Sequence, residues 1–171
     1  MFFLNDKEIT KNNVITIFES FNSKRVETIT KALEKTYQLH NNQKRKGTDV
    51  TIVSFGKIMK VAFEAADILA KENISAEIID LRTIRPIDYT TVVNSIKKTN
   101  RCVVLEESWP LASISSEIAY HLQRYAFDYL DAPVQRVTQT DTPFAFSPTL
   151  IDEALPNVDR LIKAVKATLY R

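Results

Sequence analysis

Two adjacent carboxylates, Glu106 and Glu107, close the apolar run CVVLEE that begins at Cys102. Paired acids can divide general acid and base work, because a neighbouring like charge raises a carboxyl pKa. The run itself has the composition of a buried strand, and neighbours on a strand point to opposite faces. The two carboxyls would therefore not share one proton. Open α/β sheets place ligands at strand ends, which makes Glu106 and Glu107 a candidate sheet-edge site. The structural alternative is that one carboxylate pairs with Arg82 or Arg85, or caps the following turn. Trp109 follows at the same strand end and reads as an interface residue or a core residue.

The other reactive side chains do not assemble into chemistry. Cys102 is the one cysteine, which excludes an internal disulfide and a paired-cysteine metal site. Beside Val103 and Val104 it reads as a small buried hydrophobe. His40 and His121 have no Cys or Asp partner at ligand spacing, so neither supports a metal or a nucleophile relay. Only Gly47 and Gly56 occur, where ordinary usage would give about twelve glycines. Phosphate-cradling loops need several close together, and none can be built. The expectation is no catalytic, cofactor-binding or metal-binding residue. Lys97, Lys98 and Arg101 form a small basic patch without interleaved aromatics, which argues against nucleic acid.

These residues need a scaffold, and the hydrophobic pattern supplies one. VTIVSF at 50–55, AEIIDL at 76–81, CVVLEE at 102–107 and PVQRVT at 133–138 read as strands. Between the first two, Ile58, Val61, Ala62, Ala65, Ile68 and Leu69 recur at helical spacing. Pro86 and Asp88 introduce a helix carrying Val92, Val93 and Ile96. Ile114, Ile118, Ala119, Leu122 and Tyr125 mark the next, capped by Ser113 or Ser115. Residues 143–150 read as an irregular loop, and 158–169 as a closing helix with Leu161, Ile162, Val165 and Leu169 inward. Alternating strands and helices predict an α/β fold, a three-layer sandwich with a mostly parallel sheet.

The chain ahead of this pattern differs. Residues 1–46 carry nine Lys/Arg against five Asp/Glu, a net +4 within a whole-chain net charge of +2. Val14, Ile17, Phe18 and Phe21, then Val26, Ile29, Leu33 and Tyr37, keep helical spacing, and no strand is expected. The polar run HNNQKRKGTD at 40–49 reads as a loop. Residues 1–47 are thus expected to be a helical extension and linker, and 48–171 the α/β domain. Lys44, Arg45 and Lys46 read as a solvated linker or a contact for an acidic partner. No apolar stretch is long enough to span a membrane. The first residues lack the apolar core of a secretory signal, so a cytoplasmic location is the default expectation.

Particular segments go further. DVTIVSF at 49–55, ISAEIIDLRTIRPIDYTTVVNSIKKTNRCVVLEESW at 74–109, EIA at 117–119, AFDYLDAPVQRVTQTDTP at 126–143 and LPNVDRLIKAVK at 155–166 occur in unbroken order. Together they resemble the C-terminal domain of the beta subunit of the pyruvate dehydrogenase decarboxylating component, within the transketolase C-terminal domain family. The resemblance implies a complex that converts pyruvate to acetyl-CoA and CO2. AFDYLDAP favours that branch over the branched-chain 2-oxoacid enzymes. In the family, a preceding domain binds the aminopyrimidine of thiamine diphosphate and supplies an activating glutamate and a histidine. Nothing in residues 1–46 matches it, so the expectation is no cofactor bound by this chain alone and no activity alone.

What the resemblance leaves to this domain is assembly. It implies a homodimer or a beta/alpha subunit assembly, and docking to the subunit-binding domain of the dihydrolipoyl acyltransferase. Asp131 and the chain terminus, here Arg171, would face that basic partner, whose arginines suit carboxylate pairing. The Arg171 guanidinium competes for the terminal carboxylate, and a solvated loop aspartate is the other reading of Asp131. Trp109 would lie near subunit contacts. Ser108, Ser113 and Ser115 stand where the family usually has glycines, and FAFSPT at 144–149 departs from a proline-tyrosine-alanine run. A serine in a left-handed position would cost about 1 kcal/mol or more. Two other function classes stay open: a standalone small-ligand or regulatory module using the edge around Glu106, and a decayed fragment.

Overall fold

The computed structural model describes Phe2–Leu4, Lys7–Ile9, Lys31 and residues 44–171. Apart from Lys31, the expected helical stripes at 14–21 and 26–37 lie outside the described residues. One expectation for this region is corrected. Strands β1 (Phe2–Leu4) and β2 (Lys7–Ile9) pair antiparallel, with Phe2 opposite Ile9 and Leu4 opposite Lys7. Three residues each are too few to show a period-2 pattern in sequence.

The main sheet contains β3 (Lys44–Arg45), β4 (Val50–Ser54), β5 (Ala76–Asp80), β6 (Cys102–Leu105) and β7 (Gln135–Val137), in the order β3-β5-β4-β6-β7. The last four run parallel. Strand β3 is antiparallel to β5, with Lys44 opposite Ile79 and Arg45 opposite Ile78. It falls inside the stretch expected to be a loop. Two charged residues carry no strand signature, and their pairing comes from the free edge of β5.

Helices α1 (Met59–Lys71) and α5 (Val158–Thr168) cover one face. Helices α2 (Tyr89–Thr99) and α3 (Ile114–Tyr125) cover the other. The alternation of the strands sorts the core accordingly. Ile52, Val103 and Leu105 pack with Leu69, Leu161 and Val165, while Val53, Val104 and Cys102 pack with Val92, Ile96, Ile118 and Leu122. Each fully buried Leu or Ile contributes about 1.5–3 kcal/mol relative to exposure, and this double burial fixes the three layers.

Local signals set the helix starts. Asp88 Oδ1 accepts from the Thr91 N–H at 3.0 Å, Ser113 Oγ from Ser116 N–H at 3.4 Å, and Asn157 Oδ1 from Arg160 N–H at 2.9 Å. A further helix, α4 (Pro148–Ala154), takes over the last three residues of the expected irregular loop. Pro148 in the first turn lacks only an N–H that would have no partner there.

Both glycines answer a backbone demand. At Gly47 a Cβ would fall 2.2 Å from Ala76 C and Glu77 N, so the chain can pass β5 only without a side chain. Gly56 has φ +72° with open space around it. The serines at 108, 113 and 115 are not at left-handed positions; the left-handed residue of that loop is Ala112, φ 53°. Ser113 is extended, φ −94°, as an N-cap should be. The strain expected there is therefore absent at those serines.

Candidate functional site

Parallel strands give the sheet two chemically different ends. At the carboxyl ends lie Glu106, Glu107 and Trp109. At the amino ends, where Asn100 and Arg101 lead into β6, lies Asp131, whose N–H donates to Asn100 O at 2.9 Å. Trp109 and Asp131 therefore belong to opposite ends and form no common site.

At the carboxyl end, Glu106 is fully buried. Its Oε1 accepts from the Ser115 N–H at 3.1 Å, so the carboxylate closes the N-terminus of α3; its Oε2 has no hydrogen-bond partner. A negative group is favoured there by the aligned backbone dipoles of the helix. Glu107 is only partly buried, and no arginine pairs with either side chain among the described residues. Trp109 is half exposed. Its Nε1 donates to Thr142 O at 3.0 Å, with Gln139 Oε1 at 2.6 Å in the amide orientation that satisfies both ends of Gln139. This stitches the β6–α3 loop to the β7–α4 loop. A separate cavity of about 480 Å³ opens at the same end, lined by Phe55, Gly56, Met59, Asp80, Leu81 and Arg82 among others. Glu106 does not line it.

The amino end is built from distant parts of the chain. Arg101 Nη2 meets Asp131 Oδ2 at 3.3 Å, and Arg101 Nε donates to Thr168 O at 3.0 Å. Tyr170 Oη donates to Asp131 O at 3.0 Å. The Arg171 N–H donates to Lys166 O at 3.1 Å and turns the terminus back toward α5. Asp131 and the terminal residues are thus held together, with Asp131 exposed. A cavity of about 500 Å³ beside them is lined by Ala119, Gln123, Phe127, Leu130, Asp131 and Pro133 among others.

Three further groups are placed by the fold. Burial pushes the Cys102 thiol up to about 12, so it is an inert hydrophobe. His121 stacks on Tyr89 with ring centroids 3.7 Å apart, and burial lowers its pKa to about 4. Glu77 was not singled out in the sequence, yet it is buried in β5 and paired with Lys98. It also accepts from Ser95 Oγ at 2.9 Å. Burial raises the Glu77 pKa, but Lys98, Ser95 and the Gly47 backbone outweigh it and the net shift is downward. The adjoining Thr51 hydroxyl lies 2.7 Å from Ser95 Oγ and 2.6 Å from Thr99 Oγ1. Polar residues inside a strand give no periodic signal, so this seam between α2 and the sheet was invisible beforehand. The basic patch is spent on it and its surroundings: Lys98 on Glu77, Arg101 on Asp131, and Lys97 over the Tyr129 ring at 5.1 Å.

Among the described residues, no three His, Cys, Asp or Glu side chains converge for a metal. The carboxylate best placed at the sheet edge, Glu106, is closed over by α3.

Comparison with known proteins agrees with this architecture. The family model "Transketolase, C-terminal domain" matches residues 40–161. The pyruvate dehydrogenase E1 component subunit beta of Dictyostelium discoideum, mitochondrial, is 48% identical over 127 residues, 74% of this chain and 36% of that protein. The corresponding subunit of Rickettsia felis is 46% identical over 126 residues, 74% of this chain and 39% of that protein. A solved split-gene transketolase, an inactive beta4 tetramer, superposes with a TM-score of 0.60 and 27% identity, covering 74% of this chain and 40% of that one. The chain thus spans somewhat over a third of the length of these curated relatives. Among the described residues no helix is long and apolar enough to cross a membrane. With the match covering most of the α/β sheet and its helices, the chain belongs to the transketolase C-terminal domain family, and its relatives are pyruvate dehydrogenase beta subunits.

Proposed function

We propose that this chain serves as the C-terminal assembly and docking domain of a pyruvate dehydrogenase-type beta subunit. It would work in a complex that converts pyruvate to acetyl-CoA and CO2, without binding thiamine diphosphate or catalysing on its own. The observation that carries this reading is the amino-end cluster, where Arg101 and Tyr170 hold Asp131 beside the chain terminus. An exposed carboxylate on an ordered loop suits an arginine-bearing partner, and the acyltransferase subunit-binding domain is the one proposed. Arg101 already engages Asp131, so a partner guanidinium must share or displace that contact. Subunit contacts, as a homodimer or with an alpha subunit, would use Trp109 and the carboxyl end. A cytoplasmic location is part of the same proposal.

Size-exclusion chromatography with light scattering tests it, first on the chain alone and then with the subunit-binding domain. A dimer that co-elutes with that domain, and loses it on Asp131→Ala, is the expected result. A monomer that ignores the partner would sink the docking reading.

The segment between β2 and β3, which carries the two helical stripes, is proposed to cover the part of the carboxyl end that subunit contacts leave free. Strand β3 runs antiparallel to β5, so the chain reaches Lys44 from that end. Exposed apolar residues wait there, including Leu111, Phe144 and Phe146. A second reading, a standalone small-ligand module, is favoured by the cavity beside Asp80 and Arg82. Reproducible anion binding that Arg82→Ala abolishes would support it.

A further inference from the structure

A small cavity of about 140 Å³ lies between α2 and α3, away from both ends of the sheet, lined by Tyr89, Thr90, Val93, Asn94, Lys97, His121 and Tyr125. Its size is that of a site for one six-membered ring, since an apolar cavity of about 150 Å³ accepts benzene. The lining is not that of a simple packing defect. Tyr89 and His121 stack at 3.7 Å, and His121 meets Tyr125 at 4.5 Å, so aromatic rings form part of the wall. Lys97 and Asn94 bring an ammonium and an amide to the opening.

We infer that this cavity is a binding site for a single-ring aromatic carboxylate. The ring lies against the Tyr89, His121 and Tyr125 walls and over Val93. The carboxylate accepts from the Asn94 amide and from the Lys97 ammonium, which must leave its place over the Tyr129 ring to reach it. Burial holds His121 neutral above about pH 4, so at neutral pH it offers an uncharged ring face and no charge to the carboxylate. Glu117 is the carboxylate that acts on Tyr89, while Arg124, one residue before Tyr125, adds to the positive side. This inference stands apart from the docking proposal, which uses the amino end of the sheet.

Benzoate is the probe, with the full chain observed by amide NMR and titration calorimetry. Nine heavy atoms at modest efficiency predict about millimolar affinity. Saturable shifts confined to residues 89–97 and 118–125 are expected. Benzamide, which keeps the ring and loses the charge, should bind about tenfold more weakly, and Lys97→Met should lower benzoate affinity by a similar factor. Cyclohexanecarboxylate, which keeps the charge and a six-membered ring but loses the flat aromatic face, should also bind more weakly. Absence of saturable shifts on the unmodified chain would overturn the inference. So would benzamide binding as tightly as benzoate, or shifts centred on Asp80 and Arg82. Because the ligand comparisons use unmodified protein, a variant that misfolds does not decide the result.

Discussion

Glu106 shows how one side chain can look catalytic and be structural. Its place at a strand end made it a candidate acid or base, and the fold instead gives it the N-terminus of α3. Replacing Glu106 by Ala removes that hydrogen bond and opens space in a filled layer. We expect a loss of about 1–3 kcal/mol in urea unfolding. Ser113→Ala, which removes a partly exposed cap, should cost about 1 kcal/mol. His121 gives a pH test. Its folded pKa of about 4 lies below the ordinary 6.5, because burial disfavours the charged ring. The folded state thus binds fewer protons than the unfolded state between those values, and stability falls as pH drops from about 6.5 toward 4. His121→Phe should flatten that part of the stability curve relative to the parent chain, and unchanged slopes would show the ring to be solvated. The inert character of Cys102 was readable in the sequence because its neighbours are apolar. For Glu106 the capping alternative was already open in the sequence, though not its partner Ser115; the role of Glu77 was not legible, because a carboxylate shows its partner only once distant helices are folded onto the strand.

At the scale of elements, the parallel strands and the helices α1, α2, α3 and α5 were legible because each carries several apolar residues at one clear period. Helix α4 was not, because PTLIDEA is short and mostly exposed, and its start reads as turn chemistry. Strand β3 was missed for another reason: pairing with β5, rather than any property of Lys44 and Arg45, makes it a strand. The glycines separate two kinds of backbone demand in a measurable way. Gly56→Ala meets open space and only a left-handed φ, so it should cost about 1 kcal/mol. Gly47→Ala drives a Cβ into the backbone of Ala76 and Glu77, so β3 must detach or β5 must shift. Thermal unfolding of the two variants should show a much larger drop for Gly47→Ala, together with faster amide exchange in β5. Equal drops would mean that the 44–47 segment is not seated as described.

At the scale of the molecule, the two ends of the sheet differ: Arg101 and Tyr170 hold the exposed Asp131 at one, and Leu111, Phe144 and Phe146 lie exposed at the other. Leu111 is 83% exposed and Phe146 fully so, more than scattered surface apolar residues require when they share loops tied together through Trp109. Deleting residues 1–43, which leaves β3 in place, is therefore expected to increase self-association in light scattering and dye binding to apolar surface. A truncated protein as monodisperse as the full chain would remove the covering role proposed for the extension. A decayed fragment would instead show weak, non-cooperative unfolding in both forms.

Strand β3 has a consequence for how copies can meet. It places Lys44 and Arg45 along the flank of β5, where an open ladder would otherwise invite another chain. On the far flank, Arg136 donates to Pro110 O at 2.8 Å and to Ser116 Oγ at 2.6 Å, while Arg160 donates to Thr138 O at 2.6 Å just past β7. Both flanks thus carry cations and short strands, the features that discourage lateral growth of sheets. Any contact between copies of this chain is then expected through loops and helices, and not by adding strand to strand into an open-ended ribbon.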